Sequence, residues 1–110
     1  MENQSASSLR KRRRQLVLRL SRFEAVLRGS LIERYKPCGK LGCHCASGPG
    51  HGPKYYLSIS QSGARPEMHY VPQSYHERVV RCVDNYWEVQ RILNEIASIN
   101  LELLKRRDRF

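Results

Sequence analysis

The fold of this chain is decided by residues 54–71, KYYLSISQSGARPEMHYV. Residues 54–60 alternate along the chain and are rich in aromatic and β-branched types, which is typical of a strand. The polar residues 61–64 predict a turn, and residues 67–71 predict a second strand that pairs with the first as a hairpin. The segment therefore predicts a small antiparallel sheet that ends at Pro72.

The residues before the hairpin predict a third strand and an irregular loop. Residues 30–35, SLIERY, could continue a helix, but they stand just before Pro37, where helical geometry is disfavoured, so a strand is favoured. Residues 37–53 hold five glycines and three prolines, a density that predicts no regular structure.

A helix is predicted at residues 9–28, because apolar residues recur there at steps of three and four. The stripe comprises Leu16, Leu20, Phe23 and Leu27. Gly29 is expected to end the helix. Residues 1–8 are small and polar, so we interpret them as a disordered lead-in in which Ser7 or Ser8 caps the helix.

A second, longer helix is predicted at residues 74–107, where apolar residues recur near the heptad period. The stripe comprises Val79, Val83, Tyr86, Leu93, Ile96 and Leu103. Cys82 lies within this stripe and is interpreted as a core cysteine. Trp87 is interpreted as part of the core or of a dimer interface.

The loop contains four potential metal ligands with the spacing C-x4-C-x-C-x5-H. They are Cys38, Cys43, Cys45 and His51. Four thiolate and imidazole donors satisfy the tetrahedral shell of one structural Zn²⁺ and leave no open position for catalysis. Free thiols are the alternative, and Cys82 or His69 could replace His51 as the fourth ligand.

These predictions combine into an α+β fold with one domain over residues 9–110, after the lead-in. The N-terminal helix is followed by a three-stranded antiparallel sheet with a zinc loop over residues 30–72. The long C-terminal helix is expected to pack against the first as an antiparallel pair. The basic residues 10–14 and 105–107 would then meet at one end of the pair.

The chain of 110 residues carries 20 basic and 10 acidic side chains, a net charge of +10. Residues 1–36 hold ten basic and three acidic residues, which is +7. Such a field attracts polyanions, nucleic acid first, although solubility alone is the alternative. The candidate contacts to nucleic acid are Arg10, Lys11, Arg12, Arg13, Arg14, Arg34, Lys36, Lys40, Lys54 and Arg65. Tyr55, Tyr56 and Tyr70 could stack on bases or pack within the sheet.

Catalysis is not expected, because the sequence has no phosphate-binding glycine motif and no serine nucleophile motif. No run of about 20 apolar residues is present, so a membrane span is not expected. Clustered cysteines favour a reducing compartment, so the expected location is the cytoplasm, at the nucleoid if the ligand is DNA.

Three segments carry a resemblance to a known family: residues 28–35, RGSLIERY; residues 38–45, CGKLGCHC; and residues 51–57, HGPKYYL. With Tyr70-Val71-Pro72 and Asn85-Tyr86, they make the chain resemble a family of short bacterial and archaeal proteins known only as a domain of unknown function. The resemblance implies no particular activity.

A second resemblance covers about residues 30–85. The order of strand, cysteine loop, aromatic strand, turn, strand and helix is similar to the arm-type DNA-binding domains of some tyrosine recombinases. There a three-stranded sheet reads the duplex. No recombinase catalytic residue is matched, so this likeness implies DNA binding without strand exchange.

The sequence therefore predicts a non-enzymatic, zinc-stabilised protein that binds nucleic acid, with DNA favoured over RNA, as an accessory or regulatory factor. The alternative is a protein-interaction module whose long helices form a homodimer or dock on a helical partner, with a purely structural zinc. A thiol redox sensor at the cysteine loop is a third interpretation.

Overall fold

The computed structural model describes residues 1–36 and 51–110 of the chain. Its elements are α1 (Ala6–Leu20), β1 (Ser30–Lys36), β2 (His51–Ile59), β3 (Glu67–Val71), a short 3₁₀ turn (Gln73–Tyr75) and α2 (His76–Lys105). The predicted α+β class, with a helix, a three-stranded antiparallel sheet and a long helix, is confirmed.

The chain divides into two compact units. The helical unit combines Met1–Val26 with Asp84–Phe110, and the sheet unit is Leu27–Val83. The prediction of one domain over residues 9–110 stays a prediction.

The sheet has the order β1-β2-β3, with both pairs antiparallel. Its register places Ile32 opposite Tyr56, and Tyr56 opposite Tyr70. Because successive side chains of a strand point to opposite faces, this register assigns every sheet residue to one of two faces. Leu57 and Val71 lie on one face and are the buried residues in the described part of the sheet unit, with 6% and 5% of their surface exposed.

Gly29 lies at the start of the sheet unit in a conformation that favours glycine. Its φ is +142°, and a Cβ atom built on it would lie 2.7 Å from the Ser58 carbonyl oxygen and 3.0 Å from Leu57 Cδ1. Gly29 therefore allows the incoming chain to approach β2 closely.

Gly29→Ala is expected to lower the free energy of unfolding by about 2–4 kcal/mol, because backbone strain adds to the collision with Ser58. The matched control is Gly63→Ala, where φ is +70° but no heavy atom lies within 4 Å of the added Cβ. Its expected loss is about 1 kcal/mol, from backbone strain alone. Urea titrations measure both, and equal losses would contradict the close approach.

The core of the helical unit lies between α1 and the C-terminal half of α2. Its buried residues are Leu9, Leu16, Ile92, Ile99 and Leu103, each at most 2% exposed. Ala6, Leu20, Phe23 and Ile96 are partly buried against them. These residues recur at helical spacing, so burial of two apolar stripes holds the pair together.

The two helices are antiparallel, as predicted. Arg12 pairs with Glu95. Arg19 lies seven residues later in α1, and it pairs with Glu88, which lies seven residues earlier in α2. The beginning of α1 therefore lies beside the end of α2, where Arg10 Nη1 is 3.1 Å from Asp108 Oδ1. At this end Arg10 contacts Asp108 and Arg109, whereas Arg12 and Arg13 contact Glu95 and Asn100. The predicted meeting of residues 10–14 with residues 105–107 stays a prediction.

The predicted disordered lead-in, residues 1–8, is wrong. Helix α1 begins at Ala6, and its cap is Ser5, whose side chain accepts a hydrogen bond from the Ser8 amide at 3.0 Å. The residues before the cap are held by Arg106, which donates to the carbonyls of Gln4 at 2.7 Å and of Met1 at 3.0 Å. Such contacts across 100 residues of sequence cannot be read from local composition.

The predicted end of the first helix at residue 28 is also wrong, because α1 ends at Leu20. The following backbone groups bond elsewhere. The Ala25 carbonyl accepts from Asn85 Nδ2 at 3.0 Å, and the Leu27 amide donates to the Cys82 carbonyl at 3.0 Å. Tertiary hydrogen bonds therefore replace the helical bonds that the apolar spacing suggested. Helix α2 begins and ends two residues inside its predicted bounds.

Candidate functional site

The candidate site is the face of the sheet opposite Leu57 and Val71, which we call the open sheet face. It is formed by Ser30, Ile32, Arg34, Lys54, Tyr56, Ser58, Met68 and Tyr70, which the strand register places on one side. No acidic residue is among these eight. Both acidic residues of the described strands, Glu33 and Glu67, fall on the opposite face. The open sheet face is therefore uniformly positive or neutral.

Cationic and aromatic side chains are neighbours on this face. Arg34 and Lys54 are exposed and stand opposite each other on β1 and β2. The Arg34 guanidinium carbon lies 5.7 Å from the centre of the Tyr56 ring, and the Tyr56 ring meets Tyr70 edge to face at 5.8 Å. Tyr70 is 58% exposed. The face therefore offers two cations for phosphate and an accessible ring for a base.

Tyr55 does not belong to the open sheet face, although the sequence grouped it with Tyr56 and Tyr70. Its ring packs against His76, with 4.0 Å between ring centres. Burial, followed by the negative charge and hydrogen bond of Glu33, raises the pKa of Tyr55 above its ordinary value of 10.0. The alternation of strand residues accounts for this, because neighbours in sequence point to opposite faces.

The basic run in α1 is divided between internal partners and solvent. Arg12 Nε lies 2.8 Å from Glu95 Oε2, Arg13 donates to Asn100 Oδ1 at 2.7 Å, and Arg10 pairs with Asp108. These three guanidinium groups therefore bind α1 to the C-terminal half of α2 and to the residues that follow it.

The remaining two residues of the run, Lys11 and Arg14, are exposed and form no ion pair with another described residue. They stay available for phosphate, so the predicted five-residue contact is reduced to two unengaged charges.

The pairing with Arg12 shifts the titration of Glu95. The hydrogen bond from the Arg12 side chain lowers the pKa of Glu95 below its ordinary value of 4.5, with burial opposing it and the charges of Arg12 and Arg19 assisting it. The unfolded carboxylate therefore binds a proton at higher pH than the folded one does.

Stability from this pair is present above about pH 4.5 and is lost as the pH falls through the folded pKa. We expect Glu95→Gln to lose less stability than wild type between about pH 6 and pH 3, measured by urea midpoints. Glu24→Gln, which replaces an exposed acid after the end of α1, is the control and should follow wild type. Parallel curves for Glu95→Gln and wild type would contradict the role of the pair.

Several predicted site residues fall where the structure gives less detail. Lys40 lies outside the described residues, and Lys36 is described only as the last residue of β1. Arg65 is exposed in the turn between β2 and β3.

The predicted zinc ligands are mostly outside the described ranges. Cys38, Cys43 and Cys45 lie there, whereas His51 is the first residue of β2 and pairs with Lys36 at the end of β1. Within residues 1–36 and 51–110, no three His, Cys, Asp or Glu side chains form a group that could hold a metal. Of the alternative ligands, His69 is exposed beside Glu67, and Cys82 is a half-buried free thiol.

Sequence reasoning missed one feature. The open sheet face includes Met68 and Ile32, which the period-two alternation could have identified with Tyr70 and Arg34. Of the two interpretations of Trp87, its 57% exposure excludes the core, and the dimer interface stays a prediction. Trp87 contacts the Tyr86 ring edge to face and lines a cleft of about 520 Å³.

Comparison with known proteins identifies one match. A family model described as Domain of unknown function (DUF6788) matches residues 7–81. No curated protein and no solved structure matches the chain. The likeness to recombinase arm domains therefore rests on the order of elements alone. In the described part of the chain, no helix has the length and apolar character needed to cross a bilayer.

Proposed function

We propose that this chain, which belongs to the DUF6788 family of domains of unknown function, is a non-enzymatic protein that binds nucleic acid through its open sheet face. The observation that carries the proposal is the separation of charge across the sheet. Arg34 and Lys54 share one face with two tyrosines, while Glu33 and Glu67 fall on the other. Phosphates attract such a face, and exposed rings can contact bases.

DNA is the proposed ligand in preference to RNA, and the role is that of an accessory or regulatory factor in the cytoplasm, at the nucleoid. A three-stranded sheet with cations on its solvent side can follow a groove of duplex DNA and contact the backbone on both sides. Lys11 and Arg14 offer further phosphate contacts on the helical unit. The net charge of +10 supports long-range attraction to any polyanion.

Fluorescence anisotropy with labelled duplex DNA, single-stranded DNA and duplex RNA tests this function. We expect duplex DNA to bind most tightly. The logarithm of its binding constant should fall linearly with the logarithm of the salt concentration. Nuclease-treated protein that binds none of the three at low salt would remove the proposal. Tighter binding to RNA would reverse the preference.

We propose further that one structural Zn²⁺ is held by Cys38, Cys43, Cys45 and His51. The described backbone supports this arrangement, because Lys36 pairs with His51 and so brings together the two ends of the segment that contains the cysteines. A closed shell of soft donors supplies folding energy and no reactive position.

Native mass spectrometry is expected to find one zinc per chain. Chelation, or replacement of the three cysteines by serine, should lower the melting temperature, because binding free energy of a structural zinc is folding free energy. Cys82→Ser is the matched control and should retain the metal. Freshly purified, reduced protein without bound metal would contradict the site.

A second candidate function is favoured by one observation on α2. Trp87, Leu101 and Leu104 are 57%, 51% and 46% exposed, in the part of the helix that also carries the core of the helical unit. Large apolar side chains on the solvent side of a helix mark a surface for another helix. The chain would then be a protein-interaction or dimerisation module with a purely structural zinc.

A further inference from the structure

Helix α2 carries a second stripe with heptad spacing, on the side away from its core contacts. The outward stripe is formed by Trp87, Gln90, Asn94, Ala97, Leu101 and Leu104, at successive steps of three and four. At 100° per residue these six positions span about 100° of the helix surface. The core residues Ile92, Ile99 and Leu103 centre on the opposite side.

The geometry points to a second copy of this chain as the partner of the outward stripe, in an antiparallel homodimer. The inference rests on the second candidate function and is independent of nucleic-acid binding. The stripe is self-complementary about a point between Glu95 and Ile96. An antiparallel copy places Trp87 opposite Leu104, Gln90 opposite Leu101, and Asn94 opposite Ala97. Each large side chain thus meets a smaller or more flexible one.

The charges that border the stripe favour this orientation. Asp84, Arg91, Ser98 and Lys105 follow one edge at intervals of seven residues. In the antiparallel arrangement this edge of one helix meets the same edge of the second copy. Asp84 of each copy therefore faces Lys105 of the other, which gives two equivalent pairs by symmetry. Arg91 faces Ser98 and is already paired with Glu88 in its own chain. The register creates two opposite-charge pairs and no like-charge pair along this edge.

A parallel arrangement would juxtapose like charges. The end of α2 is surrounded by Lys105, Arg106, Arg107 and Arg109, together with the start of α1. Two such ends side by side repel each other, whereas antiparallel helices separate Lys105 from its own copy by about 30 Å, well beyond the Debye length in physiological salt.

The surface beside Trp87 is shaped to receive a side chain. Asp84, Trp87, Gln90, Arg91 and Asn94 line the cleft of about 520 Å³. The antiparallel register brings the Leu101 and Leu104 side chains of the second copy to this cleft. Gln90 and Asn94 within the stripe reduce its apolar area, so we expect a dimer with a dissociation constant in about the micromolar range, set in register by these polar residues.

Sedimentation equilibrium of the full chain tests the dimer, from about 1 to about 500 μM, a range that covers the expected affinity. Leu101→Lys should weaken self-association about tenfold or more, because it buries a charge in the stripe. Leu18→Lys is the control, since Leu18 is 55% exposed on α1 and lies off the stripe. The emission of Trp87, the single tryptophan, should shift to shorter wavelength as dimer forms.

A charge exchange tests the orientation. Asp84→Lys and Lys105→Asp should each weaken the dimer, and the double variant should restore it, because the two positions face each other only in the antiparallel register. Circular dichroism of every variant verifies folding. If the loss of dimer stability in the double variant equals the sum of the losses in the two single variants, the proposed register is overturned.

A wild-type monomer at every concentration overturns the dimer but not the second candidate function, which also admits a different helical partner. A photo-crosslinking residue at position 87 in host cells separates the two outcomes. Crosslinks to a second copy support the dimer, crosslinks to another protein overturn it, and their complete absence overturns the second candidate as well.

Discussion

Leu16→Ala is expected to lower the free energy of unfolding by about 2–5 kcal/mol. Leu16 is fully buried between α1 and α2, where it packs in the cluster with Leu9 and Leu103. Removal of its three side-chain carbons beyond Cβ loses apolar burial and leaves a cavity that two packed helices close only in part. Few other single residues support the helical unit, because its core contains only five buried apolar residues.

The matched control is Leu18→Ala, the same substitution two residues later in the same helix. Leu18 is 55% exposed, so its replacement removes little buried surface and is expected to change stability by less than about 0.5 kcal/mol. Urea or thermal unfolding followed by circular dichroism measures both. Similar losses for the two variants would show that α1 does not use Leu16 as its packing face.

The double variant Arg34→Gln/Lys54→Gln is expected to weaken DNA binding by about 10–100-fold at 0.1 M salt. If each of the two cations contacts a phosphate, removing one makes the slope of log affinity against log salt less negative by about 0.9. The slope of the double variant should therefore be less negative by about 2. Both side chains are exposed, so their replacement removes little buried surface and the fold should be retained.

The control for this prediction is Arg22→Gln/Arg107→Gln, which removes the same charge from exposed positions outside the sheet. Its slope should stay close to that of wild type. A third variant, Lys11→Gln/Arg14→Gln, measures the share of the unengaged residues of the α1 run. Equal losses in all three variants would mean that net charge alone attracts DNA and that the open sheet face is not the contact surface.

The strands and the antiparallel helix pair could be predicted because their signals are local. Alternation in residues 54–60 and the turn before residues 67–71 define the hairpin, since backbone geometry makes every second side chain share a face. The spacing of Leu16 and Leu20 defines one packing stripe in the same way. The family of unknown function was also recognisable from sequence, but it carries no activity to transfer.

Other features depend on contacts between residues distant in sequence. The helical spacing of Phe23 and Leu27 continues past Leu20, yet α1 ends there because Asn85 and Cys82 engage the backbone of residues 25–27. In the same way, Ser5 rather than Ser7 or Ser8 caps the helix, and Arg106 holds the residues before it.

Residue type and spacing alone determined that this chain has two amphipathic helices and a three-stranded sheet, with basic residues concentrated at positions 10–14 and aromatic residues on the strands. Only the tertiary structure decided which of those side chains remain free to bind. The sequence shows that Arg10, Arg12 and Arg13 are charged. It does not show that each forms a hydrogen bond with a side chain 83 to 98 residues away. Whether a charged side chain is available to bind a ligand depends on residues distant in sequence, and local sequence patterns do not identify those residues.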